Sequence, residues 1–139
     1  HHIHIGMAVA VEEGLLVPVI KFADQKSLSQ ISAEAKSFSA KAKEKKLQPD
    51  EMQGNTFTIS NLGMMDIDEF TAIINPPDAC IMAIGKLKKV PAVINEEIKI
   101  ASVLTVTLSC DHRVVDGATG ARFLQTFKSF LENPLSMLY

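Results

Sequence analysis

Val103-Leu104-Thr105-Val106-Thr107-Leu108-Ser109-Cys110-Asp111-His112-Arg113-Val114-Val115-Asp116-Gly117 is the stretch that decides the fold. Its first part, Val103 to Leu108, is an apolar and β-branched run of strand length. From Gly117 the period changes. Ala121, Leu124, Phe127 and Leu131 fall on one helical face with Phe123 and Phe130 beside it, and Asn133-Pro134 ends the helix. The stretch therefore predicts strand, sharp polar corner, helix. His112 sits at the corner between Asp111 and Arg113, with Asp116 four residues on. A rigid strand aims such groups, and no regular ladder consumes them. Asp116, directly before Gly117, also fits a helix N-cap, and His112 fits a loop histidine, so spacing alone leaves catalysis open.

Strands also dominate upstream of the corner. Ile3, Ile5, Met7, Val9 and Val11 alternate with His2, His4, Gly6, Ala8 and Ala10, which predicts a strand already in register at the first residue. The expectation is that the sequence begins inside a larger domain. Glu12-Glu13-Gly14 turns the chain into a second strand, Leu15 to Ile20, whose Pro18 argues for an edge or a bulge. Ser27 and Gln30 form a capping-box signature. Leu28, Ile31, Ala35, Phe38 and Ala42 then share one stripe of a helix of about five turns, stopped at Gln48-Pro49-Asp50. Thr56 to Ser60 alternates as a strand and enters an Asn61-Leu62-Gly63 turn. A loop through Asp66 and Asp68 leads to Phe70-Thr71-Ala72-Ile73-Ile74 and the bend Asn75-Pro76-Pro77. Short strands follow at Ala79–Ile84, Val90–Ile94 and Ile98–Ile100, the last two joined at Asn95-Glu96. Strands interleaved with two helices place the chain in the α/β (α+β) class with mixed pairing.

The 139 residues are 47% apolar, enough for one real core. A net charge of −2 and a pI near 6.1, with interspersed signs, provide no field for nucleic acid or anionic lipid. No apolar stretch reaches the ~18 residues of a membrane span, and the start does not resemble a secretory signal. Nucleic-acid and membrane partners are therefore not expected. Cys80 and Cys110 both adjoin strand-like runs and read as packed, reduced thiols. Cys110, two residues before His112, leaves a catalytic role open. Lys41, Lys43, Lys45 and Lys46 suit the negative end of a helix dipole, with a phosphate-binding patch as the alternative. His1, His2 and His4 have no further ligands beside them, and alternation turns His1 away from the other two, so no metal is expected.

Ser109 to Gly117 resembles the His-x-x-x-Asp-Gly signature of the dihydrolipoamide acyltransferases, the core components of 2-oxo-acid dehydrogenase complexes. Gly6 to Ile20, Thr56-Phe57-Thr58-Ile59-Ser60-Asn61-Leu62-Gly63-Met64 and Phe70 to Ile81 look like further family blocks, in family order. Together they cover essentially the whole chain. The resemblance implies a two-layer mixed sheet with packed helices of the kind found in chloramphenicol acetyltransferase. It also implies that residues 1–139 are the C-terminal part of a catalytic domain, without the lipoyl and peripheral-subunit-binding domains. The Ser-Asn-Leu-Gly-Met and Ala-Ile-Ile-Asn-Pro-Pro-x-Ala-Cys-Ile blocks look most like the branch that serves pyruvate dehydrogenase.

The chemistry implied is acetyl exchange between dihydrolipoyl-lysine, carried on a domain outside this sequence, and coenzyme A. Exchange of one thioester for another is nearly balanced, so the obstacle is kinetic. A thiol of pKa about 8.5 is only a few per cent thiolate at neutral pH, and a base is required. By resemblance His112 is that general base and Ser60 donates to the oxyanion. Asp116 has an indirect role through polar contacts that hold the corner, and Asp111, Arg113 and Gly117 support it. Family members build each site from two subunits of a homotrimer, and the trimers form a cubic or dodecahedral core. The decarboxylase and dihydrolipoamide dehydrogenase components bind through other domains. Leu135, Met137, Leu138 and Tyr139 fit docking into another trimer or packing on their own domain. The resemblance implies a bacterial cytoplasm or a mitochondrial matrix. The alternatives are a succinyl- or branched-chain acyltransferase, a non-catalytic core subunit, and a free-standing acyltransferase of the chloramphenicol type.

Overall fold

The structure is a computed structural model describing residues 2–138, and side chains through Met137. The expectations for His1, for Tyr139 and for the Leu138 side chain lie outside the described residues. The chain runs through β1 (Ile5–Met7), β2 (Val9–Val11), β3 (Gly14–Leu16), β4 (Val19–Ile20), α1 (Leu28–Lys43), β5 (Phe57–Asn61), β6 (Cys80–Ile84), β7 (Lys88–Ile94), β8 (Glu97–Val103), β9 (Val106–Cys110) and α2 (Gly117–Glu132). Five strands form one mixed sheet in the order β4-β1-β5-β6-β9, with β2-β3 and β7-β8 as separate ribbons. β5 runs parallel to β1 and to β6, whereas β9 is antiparallel to β6. Val19, Ile20, Phe38, Ala42, Ile81 and Met82 are among the buried apolar residues of the core.

The first predicted strand is in fact two. Alternation persists from Ile3 to Val11, but the main-chain partners change at Ala8, and β2 leaves the central sheet to pair with β3. Side-chain period cannot reveal such a change of partner. Gly6, on the face opposite Ile5 and Met7, is buried: a Cβ there would stand 2.9 Å from Thr58 Oγ1 and 3.0 Å from Val17 Cγ1. The second run likewise splits around Pro18, which is fully buried and whose carbonyl accepts from Met7 N at 2.9 Å. β4 is an edge strand, as that proline suggests. The apolar run Val103–Leu108 spans the end of β8 and most of β9, with the break at Leu104-Thr105.

α1 begins where the capping box places it. Gln30 N donates to Ser27 Oγ and Ser27 N donates to Gln30 Oε1. Phe38 and Ala42 are buried, but Leu28 at the head of the stripe is 80% exposed. The helix ends at Lys43, short of Gln48-Pro49-Asp50, with Lys45 in the left-handed region at φ 58°. Lys41 pairs with Glu51, Lys45 with Glu13 and Lys46 with Glu44, so most of this lysine cluster is engaged with carboxylates of its own chain. His2 and His4 both meet the Phe22 ring edge-on, and His4 Nδ1 accepts from Phe22 N at 2.9 Å.

The turn after β5 runs through a short 3-10 segment, Gly63–Met65. Its left-handed residue is Asp66, at φ 67°, and Gly63 serves close approach instead. A Cβ on Gly63 would stand 2.6 Å from the Gly85 carbonyl oxygen, and one on Gly85 would stand 1.9 Å from that of Asp68. The loop Leu62–Asp68 is thus pressed against the end of β6. Lys86 N donates to Ile67 O at 2.8 Å, Lys86 pairs with Asp66, and Lys88 pairs with Asp68. Gly85→Ala forces backbone apart and should destabilise the fold by about 3 kcal/mol, lowering Tm by roughly 10 °C. A thermal melt unchanged from the parent would contradict this packing.

Candidate active site

The corner after β9 is held by short-range polar contacts. Asp111 N donates to Ala79 O at 2.8 Å, extending the β6-β9 ladder by one rung, and the chain then turns through His112 to Val114. The Asp111 carboxylate accepts from Arg113 Nε at 3.0 and 3.1 Å, from Nη2 at 2.6 Å and from the Arg113 backbone N at 3.0 Å. This bidentate pair points the guanidinium outward, with 89% of the side chain exposed. Arg113 therefore anchors the corner without pressing its charge on the imidazole. Asp116 Oδ1 accepts from Thr119 N at 2.7 Å and caps α2, which lowers its carboxyl pKa. The N-cap role is thus real, and the Asp116 carboxylate makes no hydrogen bond to His112. Gly117 opens α2 with no atom within 4 Å of a Cβ position, so nothing in this chain alone demands glycine there.

The His112 side chain is exposed and has no hydrogen-bond partner among the described residues. That suits a base awaiting substrate: both ring nitrogens are free. Arg113's side-chain hydrogen bond, then its backbone N–H, holds the Asp111 carboxyl down at about 2. Because the folded pKa lies below the unfolded value, any stability from this pair is present above about pH 4 and is lost as pH falls through about 2. An NMR titration of the Asp111 carboxyl should give a midpoint near 2. A midpoint near 4 would mean that the clamp does not form.

Ser60 lies near the end of β5, opposite Ala83 of β6, with its hydroxyl unengaged among the described residues. Two residues earlier on the same face, Thr58 is fully buried and donates to Asp78 Oδ2 at 2.5 Å, and Asn55 Nδ2 donates to the same oxygen at 2.6 Å. Asp78 Oδ1 is buried with no partner among the described residues. Ser109, three residues before His112, donates from Oγ to Ala72 O at 2.8 Å and pins the 70–75 loop to β9. These tethers position both functional strand ends. The sequence gives no local sign of them, because their members are 20 to 37 residues apart.

Register separates Ser60 from His112. Ala83 faces both Ser60 on β5 and Thr107 on β9, and β9 runs on from there to Asp111 beside Ala79. Four residues along the strands and two strand spacings across them put Ser60 at least about 15 Å from the His112 corner. Hydrogen-bond reach is about 3 Å, so one chain does not unite the two residues. A groove of about 750 Å³ lies elsewhere, between Ser102–Leu104, Val106 and the C-terminal half of α2. Among the described residues no three potential metal ligands converge. No described helix is long and apolar enough to cross a membrane.

The mixed sheet and the strand-to-helix corner are those of an acyltransferase catalytic core. A dihydrolipoamide acetyltransferase of Azotobacter vinelandii superposes with a TM-score of 0.96 at 43% identity, over 99% of this chain and 57% of that one. A pyruvate dehydrogenase cubic-core structure gives 0.96 at 42%, with the same coverage. In sequence, the dihydrolipoyllysine-residue acetyltransferase component of the Rickettsia bellii pyruvate dehydrogenase complex is 54% identical over 138 residues. Residues 1–139 match the 2-oxoacid dehydrogenases acyltransferase (catalytic domain) family, and the chain belongs to it. It covers 99% of itself but only 33% of the Rickettsia relative.

Proposed function

We propose that this chain is the C-terminal part of an acetyltransferase catalytic domain, moving acetyl groups between dihydrolipoyl-lysine and coenzyme A in a pyruvate dehydrogenase complex. The observation that carries the site assignment is spacing. The Azotobacter enzyme was studied for the catalytic roles of a serine, a histidine 52 positions later and an asparagine four positions after that. Ser60, His112 and Asp116 have the same intervals. Aspartate in place of asparagine keeps the acceptor oxygen that caps α2.

In this reading His112 takes the proton from the coenzyme A thiol. The thiolate attacks the acetyl-dihydrolipoyl carbonyl, and the Ser60 hydroxyl donates to the resulting oxyanion. Collapse expels the dihydrolipoyl thiolate, which recovers the proton from the imidazolium. Separation of Ser60 from His112 within one chain favours a site shared between two copies, as in a homotrimer built into a larger core. Leu135 at 67% exposure and Met137 at 51% are apolar groups available for that assembly. Other domains of the full-length protein carry the lipoyl arm and bind the decarboxylase and dihydrolipoamide dehydrogenase components, in a bacterial cytoplasm or mitochondrial matrix. Retention of His112 and Ser60 disfavours a non-catalytic core subunit.

The test is an assay of the full-length protein with acetyl-, succinyl- and branched-chain acyl-CoA against dihydrolipoamide. Acetyl transfer should exceed the other two clearly. Equal rates, or none with acetyl-CoA, would overturn the assignment.

A further inference from the structure

Cys80 and Cys110 face each other across β6 and β9, with Sγ atoms 3.5 Å apart. Asp111 N to Ala79 O and Gly85 N to Thr105 O mark hydrogen-bonded rungs of this antiparallel pair. Rungs alternate, so Cys80 and Cys110 occupy a non-hydrogen-bonded position, where Cα atoms are about 4.5 Å apart and side chains lie closest. That spacing is within the range a disulfide spans. Both thiols are partly exposed. The Cys110 sulfur also stands 3.5 Å from the Cβ position of buried Gly120 on α2. It therefore lies between the strand that leads into the His112 corner and the helix that leads out.

We propose that Cys80 and Cys110 form a modification site: a dithiol that low-molecular-weight disulfides oxidise to a cross-strand disulfide, which shuts down the adjacent His112 corner. The proposal rests on the acetyl-transfer reading only for its second half. The Cys80 thiol donates its hydrogen to Cys110, and burial pushes the Cys80 pKa up to about 11, which slows attack from Cys80. The Cys110 thiolate displaces one thiolate from the small disulfide and forms a mixed disulfide. Cys80 then attacks the Cys110 sulfur and expels the second thiolate, its proximity offsetting its high pKa. Two electrons pass to the oxidant, and the two cysteine protons leave on the two small thiols. Closing the bond brings the sulfurs from 3.5 Å to about 2.05 Å, one residue from the last rung and two from His112. A shift of this size passed on to His112 would cost rate steeply.

The test uses the full-length assembled protein, oxidised glutathione, alkylation of free thiols and peptide mapping. Activity is read in the first seconds of assay, before dihydrolipoamide reduces the bridge. A Cys80–Cys110 disulfide should form, transfer should fall by at least about tenfold, and dithiothreitol should restore it. Cys110→Ser should keep its activity under oxidant, and Cys80→Ser should trap glutathione on Cys110. The proposal is overturned by two free thiols after oxidation, by a bridged protein that turns over as fast as the reduced one, or by equal inhibition of Cys110→Ser. A reduced protein with no acetyl transfer would instead sink the proposed function, and the peptide map would still decide the bridge.

Discussion

Replacing His112 by alanine should lower acetyl transfer by about 10²–10⁴-fold, the usual contribution of a positioned general base. The side chain is exposed and makes no hydrogen bond among the described residues, so its removal leaves no cavity and strips no buried partner. Tm and assembly mass should therefore stay at parental values while kcat collapses. The corner keeps its shape without the imidazole, because Arg113 donates to Asp111 and Thr119 N donates to Asp116, and neither contact involves His112. A His112→Ala protein retaining more than a tenth of parental kcat would remove His112 from the chemistry.

Ser60→Ala should cost about 10²–10³-fold in kcat with little change in KM, as expected for a single oxyanion donor. A hydroxyl that acts only on the developing charge lowers kcat and kcat/KM together. Ser60 is unengaged among the described residues, whereas Thr58, on the same face, anchors the Asp78 carboxylate in the core. Structural loss therefore belongs to Thr58, and catalytic loss without unfolding belongs to Ser60. Equal falls in Tm and activity for Ser60→Ala would point to a packing role instead.

Much of this architecture was legible residue by residue. The Ser27-Gln30 box located the start of α1, and the change of period at Gly117 located α2 with Asp116 as its cap. Both signals are local, made of groups that meet within one helical turn. Legibility failed where partners are remote. Continuous alternation from Ile3 to Val11 concealed a transfer between sheets, and the run through Val103–Leu108 concealed the end of β8. Leu28 matched the apolar stripe of α1 but sits in its first turn, beyond the surface that Phe38 and Ala42 cover. Family resemblance singled out His112 and Ser60. Spacing alone could not say that they occupy opposite ends of the sheet, since that depends on two register relations through Ala83. The contact between Cys80 and Cys110 is of the same kind, joining residues 30 positions apart.

In the proposed assembly each site takes His112 from one copy and Ser60 from another. Co-expression of full-length His112→Ala and Ser60→Ala subunits in equal amounts tests it most directly. In randomly mixed oligomers, about one site in four pairs an intact histidine with an intact serine, so activity should return to about a quarter of the parental value. Activity no higher than that of the two variants assayed separately would contradict the shared site.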